Sequence, residues 1–499
     1  MIKYNVYRLR RESYDALIKK LTVVNLTKAG EKDLEDFKYE FFFSVKPDEV
    51  DIWWIETYKE FLTEADAPQN KIYFGVLIIS SNTVLYAVSL GKSHFYLRQF
   101  CDSDFGLNLA ERIAHKEDLR IKSSRFFRSK KSKIITTFQK GTEINFDSGE
   151  SMHYLKVKTI DEKVWGKVAS FGNSVQFTLT ILPNNLHSLI ERIECELQKP
   201  PQIQLPKAEL VKDDVVIKKL DRKLCDAIVA SSAIVSVDEL AVSGVDFIFA
   251  DRSNYSLYLK GLSSAKTSVD ELTVSSLVDF CVDKGFDLHD RLNEIQVYSA
   301  NEFEHGHSQS LKTYLDYIDD ERHCLIDGKW HKFNASYISY LHQEVDQIPI
   351  APYEPSFDIQ PSLDEDTFNK QRAANDGYVN CDKDLASLDE KYRIEKMDLY
   401  KDGVLHFVKK GTPQKLGYVI DQATNTIAIL QNNASQIEIG NLPIKVKGIC
   451  LWLILERKTQ LLKISEINSI IFQMKLTQWR KAVIDAGYEP SIKLNYIVC

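Results

Sequence analysis

The chain holds no run of eighteen consecutive apolar residues, so no helical membrane span is expected. No basic-then-apolar leader with a small-residue cleavage site opens it, so a cytoplasmic rather than a secreted protein is expected. Its eight cysteines lie scattered at positions 101, 195, 225, 281, 324, 381, 450 and 499 with no CxxC pair. That spacing argues against a disulfide framework and a zinc knuckle and for reduced thiols. Glycine is scarce, 20 in 499 residues, and there is no Walker loop, no GxGxxG after a strand and no GxSxG elbow. A nucleotide-binding P-loop and a Ser or Cys nucleophile therefore lack support. No internal repeat is evident. Basic residues are outnumbered, 64 Lys and Arg against 71 Asp and Glu for a formal charge of −7. Any affinity for nucleic acid must come from a local patch and not from the overall field.

What is present is core-forming material: 44% apolar and 11% aromatic residues, enough for about two to four domains. Two proline-bearing stretches mark expected boundaries. Residues 198–206 read as a stiff extended linker, and Pro349, Pro352, Pro355 and Pro361 interrupt any regular pattern further on. The expected architecture is a multidomain α/β (α+β) chain. It has an N-terminal α+β domain at 1–198, a mixed middle domain at 207–350 and a C-terminal mixed-sheet domain at 360–499. In the first, a strand at 3–8 precedes a helix through Tyr14, Leu17 and Leu21, and Ser81-Asn82 joins two apolar strands as a hairpin. The Trp53-Trp54 pair reads as core or interface packing. In the middle domain the spacing of His289, His305, His307, His323 and His331 fits no zinc pattern, and residues 316–322 read as a charged helix end.

One segment concentrates positive charge. Arg120, Lys122, Arg125, Arg128, Lys130, Lys131 and Lys133 fall in fourteen residues without an acid, with Phe126 and Phe127 between them. Cationic groups track phosphates while aromatic rings stack on bases, so this is a candidate contact for DNA or RNA. A solvated loop, or a contact to an acidic neighbouring domain, is the competing reading.

The C-terminal part carries the chemistry. Residues 394–400 and 405–410 read as two buried strands joined at Lys401-Asp402-Gly403, with Asp398 near the end of the first and Lys409 on the second. A carboxylate that holds a divalent cation on a phosphate, beside a lysine that orients water and offsets negative charge, is what a metal-dependent nuclease needs. A charged sheet edge gives the same pattern. Upstream, residues 364–374 form a helix with acids in its first turn, and Pro413 opens a second helix with Leu416, Val419, Ile420, Ala423, Ile427 and Leu430 at helical spacing. Residues 447–455 are an apolar run of the kind buried on both sheet faces, followed by a helix at 467–486 and a strand at 492–498.

Over nearly its full length the chain resembles a sporadically distributed bacterial family of unknown function. The matching points are Tyr4-Asn-Val-Tyr-Arg-Leu9, Val84 to Gly91, Asp104-Phe-Gly-Leu107, Asp327-Gly-Lys-Trp330, Glu365-x-x-Phe368-Asn369, Ile394 to Leu399, Val408-Lys409 and Leu416 to Gln422. The resemblance implies a C-terminal core similar to the restriction-endonuclease-like PD-(D/E)xK fold, acting in bacterial defence against phage or plasmids. It further implies Glu365 as the helix carboxylate, Asp398 as the central metal ligand, Lys409 as the catalytic lysine and Gln422 as a helix-borne polar group. Mg²⁺ or Mn²⁺, held by Asp398 and Glu365, is the implied cofactor. DNA or RNA, a phage-derived trigger or partner protein, and further copies of the chain are the implied partners. The sequence departs from the nuclease pattern at Phe407, two before Lys409, where an acid usually stands. Strand alternation sets Phe407 on the face of Lys409 and His406 on the opposite face, and Glu395 comes near only through a bulge. A nuclease-fold protein with a degenerate site, serving as a nucleic-acid sensor, and an interaction scaffold therefore stay open as alternatives.

Overall fold

The computed structural model describes residues 1–52, 55, 57–61, 69–126, 132–138, 144, 146, 150–232, 246–247, 254–262, 266–269, 272–300, 306–381, 385–389, 392–395, 397–432, 438–439, 442–457 and 459–498. Trp53, Trp54, Arg128, Lys130, Lys131 and His305 lie outside them. The fold is mixed α+β, with several separate sheets. The chain divides into two compact units, one ending at Leu205 and one whose main body begins at Pro206.

The first unit is built on a ten-stranded sheet. Its central strand, Ile2–Arg8, pairs antiparallel with Leu85–Leu90 on one side and Val175–Leu179 on the other. The expected hairpin forms, Gly75–Ser80 against Leu85–Leu90, with Ser81 N–H donating to Val84 O. Leu17 and Leu21 of the helix Tyr14–Val23 are buried on one sheet face, and helix Leu186–Leu197 buries Leu186, Leu189, Ile190 and Ile193 in a core on the other. The stretch 198–206 is no free spacer. Leu205 is buried, its N–H donates to Glu111 Oε1 at 3.0 Å, and the N–H groups of Gln202 and Ile203 donate to Glu111 O.

The second unit contains both remaining expected regions, 207–350 and 360–499. The stretch 316–322 is no helix end. Leu315–Asp316 is a short strand, and Ile318 bridges Cys324 at the start of strand His323–Ile326. The proline-bearing stretch also runs along structure instead of spanning a gap. Ile350 bridges Ile492, Ile359 bridges Ile497, and the Ala351 N–H donates to Ile492 O.

The C-terminal part has α1 (Glu365–Asn375), β1 (Val379–Asn380), β2 (Leu399–Lys401), β3 (Val404–Gly411), α2 (Pro413–Asn432), β4 (Gly448–Leu455), α3 (Ile470–Asp485) and β5 (Glu489–Tyr496). The sheet order is β1-β2-β3-β4-β5, antiparallel up to β3 and parallel from β3 to β5. Asp402 and Gly403 have φ of 53° and 90°, the left-handed conformation that a tight β2–β3 hairpin turn requires. Every residue of β4 is buried, as its unbroken apolar run demands. One sheet face meets α2 and α3 through Leu416, Val419, Ile420, Leu476 and Trp479. The other meets α1 through Phe368, with Leu399, Val408, Trp452 and Ile454 beneath it. The first strand of the hairpin is shorter than expected. Residues 392–395 pair with 385–389 in a separate ribbon, so Asp398 precedes β2 in a bend instead of closing a longer strand.

Candidate functional site

Helix α1 starts where Asp364 caps it, its Oδ1 accepting the Thr367 N–H at 2.8 Å. The Thr367 hydroxyl and N–H hold the Asp364 carboxyl below the usual carboxylate range. One residue on, the Glu365 carboxylate reaches β3: Oε1 accepts the Lys410 N–H at 2.9 Å and Oε2 accepts the Lys409 ammonium at 2.9 Å. At the other end of α1, Asp376 O accepts the Lys401 ammonium at 2.8 Å, beside the start of β3 where Lys401 pairs with Val404. Helix α1 therefore runs antiparallel to β3, with its N-terminus over the end of that strand.

Asp398 is held by its own backbone. Its N–H donates to His406 O and its O accepts from the Cys381 N–H, at 3.0 and 2.8 Å. The side chain is largely buried, and Oδ2 accepts the Val408 N–H at 2.7 Å. The reason lies in the ladder. Pairing of β2 with β3 stops at Leu399 and His406. On the side where β2 would have continued, no strand among the described residues meets the N–H groups of Val408 and Lys410. Buried donors must be satisfied, and the two carboxylates satisfy them in succession.

The structure thus brings Glu365, Lys409 and Lys410 together and sets Asp398 two residues back along the same strand edge. Gln422 is half-buried on α2, the helix that covers the face on which Phe407 is buried. Phe407 itself is 0% exposed, packed in the core that holds Leu416, Val419 and Leu451. An acid at that position would stand in the core and not in a solvent-reached site, which corrects the expectation that it faces the site. The Glu395 side chain lies outside the described residues. A cleft of about 740 Å³ opens next to Glu365, lined also by Lys410, Gly411, Lys415, Glu456 and Arg457. It lies past the ends of β3 and β4, the usual place for ligands on parallel sheets.

On the sheet face that α1 covers lies a layer that no sequence signal announced. The His406 ring packs against Tyr378 and Trp452 with centroids 5.3 and 5.9 Å away. Burial, with the charges of Lys493 and Lys401 nearby, pushes its pKa down to about 3, so it stays neutral. The Lys493 ammonium lies 4.3 Å from both the Phe357 and Trp452 ring centroids and pairs with Glu354 at 2.7 Å. Lys493 sits between Ile492 and Leu494 in a strand, where alternation marks only a change of face.

The basic segment is partly strand. Arg120, Lys122 and Arg125 belong to the strand Ala114–Phe126, and Lys133 to Ser132–Thr137. Arg120 pairs with Asp118 at 3.0 Å, Arg125 is half-buried, and Lys122 is buried with its ammonium 5.8 Å from the Phe138 ring. Elsewhere, Asp319, Glu321 and His323 place ligand atoms within 4.8 Å of one another. The Lys223 ammonium lies 2.8 Å from Glu321 and 3.5 Å from Asp319, and the His323 backbone N–H donates to Asp319, so both carboxylates have partners within the chain. His289 bridges Asp226 and Asp287. Among the described residues no helix is long and apolar enough to cross a membrane.

Residues 4–439 match the model of a family of unknown function (DUF6119), a span that includes Glu365, Asp398, Lys409 and Gln422. No curated protein and no solved structure matches the chain.

Proposed function

We propose, for a chain that belongs to this family of unknown function, a metal-dependent nuclease acting on DNA or RNA in a bacterial anti-phage or anti-plasmid defence. The observation that carries the proposal is the strand edge of β3, where Glu365 meets the Lys409 ammonium and Asp398 takes the Val408 N–H. The order helix, strands, helix, strand, with a parallel crossover from β3 to β4, supports a restriction-endonuclease-like core.

The donor set suits Mg²⁺ or Mn²⁺. Asp398 and Glu365 offer hard carboxylate oxygens, the donors that these cations prefer. Bound there, such an ion would acidify a water and neutralise charge on a phosphodiester. The Val408 and Lys410 N–H groups fix the two carboxylates against the strand. The Glu365 carboxylate fixes the Lys409 ammonium, a cation placed to orient an attacking water and offset charge at the phosphate. A phage-derived trigger or a protein partner, and self-association, belong to the same proposal.

The test is cleavage of DNA and RNA with Mg²⁺ and Mn²⁺ by wild type, Asp398→Asn and Lys409→Ala, with matched circular dichroism. Loss of cleavage in folded variants is expected. Cleavage that survives either change removes the assigned role. A second reading, a nuclease fold that binds nucleic acid without cutting it, is favoured by Phe407, which fills core space where the third acid is expected. Binding without cleavage by wild type would select it.

A further inference from the structure

Asn369 stands one helical turn after Glu365 on α1 and is 2% exposed. Its Oδ1 is buried and has no hydrogen-bond partner among the described residues. An orphaned buried acceptor is costly to a fold, so its retention requires a reason.

Its position along the strand edge follows from the geometry of the helix. Residues four apart on a helix lie on one face, about 6 Å apart along the axis. Two residues of a strand span about 6.6 Å. Helix α1 runs antiparallel to β3, with Glu365 level with Lys410 and Asp376 level with Lys401. One turn on from Glu365, Asn369 therefore comes level with Val408, two residues back from Lys410. The Val408 N–H is the one that Asp398 Oδ2 takes. Phe368, the residue before Asn369, packs in one cluster with Val408 and Leu399, which accords with that level. Two carboxylates and an unused amide oxygen thus share one short stretch of the β3 edge.

We propose that Asn369 is a further member of the site, its Oδ1 offered to the same divalent cation as Asp398 and Glu365. This rests on the nuclease-site reading and deepens it. An amide oxygen is a hard, neutral donor of the kind that Mg²⁺ and Mn²⁺ accept beside carboxylates. It supplies from the helix the third protein oxygen that Phe407 does not supply from the strand. A neutral ligand there also keeps the site at two negative charges, close to the one ammonium of Lys409.

The test is calorimetric Mn²⁺ titration of the full chain as wild type, Asn369→Ala, Asn369→Asp and Asp398→Asn, each checked by circular dichroism and thermal melting. Weakening of Mn²⁺ binding by about tenfold or more in Asn369→Ala is expected, since even groups outside a metal's own ligands cost that much. Asn369→Asp, which keeps an oxygen and adds a charge, is expected to bind Mn²⁺ more tightly than wild type. Should Asn369→Ala fail to fold, Asn369→Asp carries the test, because a position that does not face the cation gives no tightening. Unchanged affinity in the Asn369 variants, with binding lost in Asp398→Asn, overturns the role of Asn369 and leaves the site standing. No Mn²⁺ binding by wild type overturns both.

Discussion

Asp398 and Glu365 stand where a longer β2 would have supplied acceptors, and that structural duty makes their substitutions separable. Asp398→Ala leaves the buried Val408 N–H without an acceptor and is expected to lower stability by about 1–3 kcal/mol. Asp398→Asn keeps an oxygen for that N–H and is expected to cost less, while both variants lose cleavage. Urea unfolding with a paired cleavage assay checks the split; equal stability of the two would show that the N–H does not depend on residue 398. His406 yields a prediction in pH. Its folded pKa of about 3 lies below the ordinary 6.5, so as pH falls the unfolded chain takes up the proton first. Stability is then full above about pH 6.5 and declines towards pH 3, by up to about 1.4 kcal/mol per unit. His406→Phe, which keeps a ring and removes the titrating group, is expected to flatten that decline, read from urea midpoints between about pH 6.5 and 4. At this scale the placing of Asp398, Glu365 and Lys409 along one strand edge could be anticipated, because few residue types suit that chemistry and the sequence held them at matching points. Asn369 and Lys493 could not be, because their meaning lies in which atoms burial leaves unpaired or surrounds with rings.

At the scale of elements, helices and the buried strand announced themselves and the ribbon did not. The Asp364 cap, Pro413 and the run from Gly448 to Leu455 each have a local cause, and each element falls close to its expected place. Residues 394–400 read as one strand because apolar character persists through Met397 and Leu399. Their division follows from pairing with residues 385–389, a tertiary choice with no local signal. Phe407 shows the limit of alternation in another way. The two-residue period separates Phe407 from His406, but the face on which Phe407 lies is covered by α2 and is not open to a site. Phe407→Glu is therefore expected to lose at least about 3–5 kcal/mol, the cost of deleting a buried aromatic before any charge is counted. It is not expected to gain a metal ligand. Thermal melting checks this directly, and a variant of wild-type stability would mean that position 407 reaches solvent.

For the whole molecule, the chain passes from one compact unit to the other near Pro206, whereas the stretch holding Pro349 to Pro361 lies against β5. Proline signals irregular backbone, and irregular backbone still packs when its apolar side chains find a face. Charge sets the last expectation. A chain with a formal charge of −7 repels a polyanion at long range, so binding must be concentrated in a patch strong enough to overcome that field. Within the basic segment, Arg120 is paired with Asp118 and Lys122 is buried. Neutralising Arg125, Arg128, Lys130 and Lys131 together is expected to weaken nucleic-acid binding. It should also flatten the dependence of log K on log salt by about 0.7–0.9 for each phosphate that the variant no longer neutralises. Arg120→Gln, by contrast, is expected to leave that slope unchanged. Titrations of one oligonucleotide at several salt concentrations measure both. A slope that the fourfold variant does not alter would move the interface away from this segment, and would turn attention to Lys410, Lys415 and Arg457 around the cleft beside Glu365.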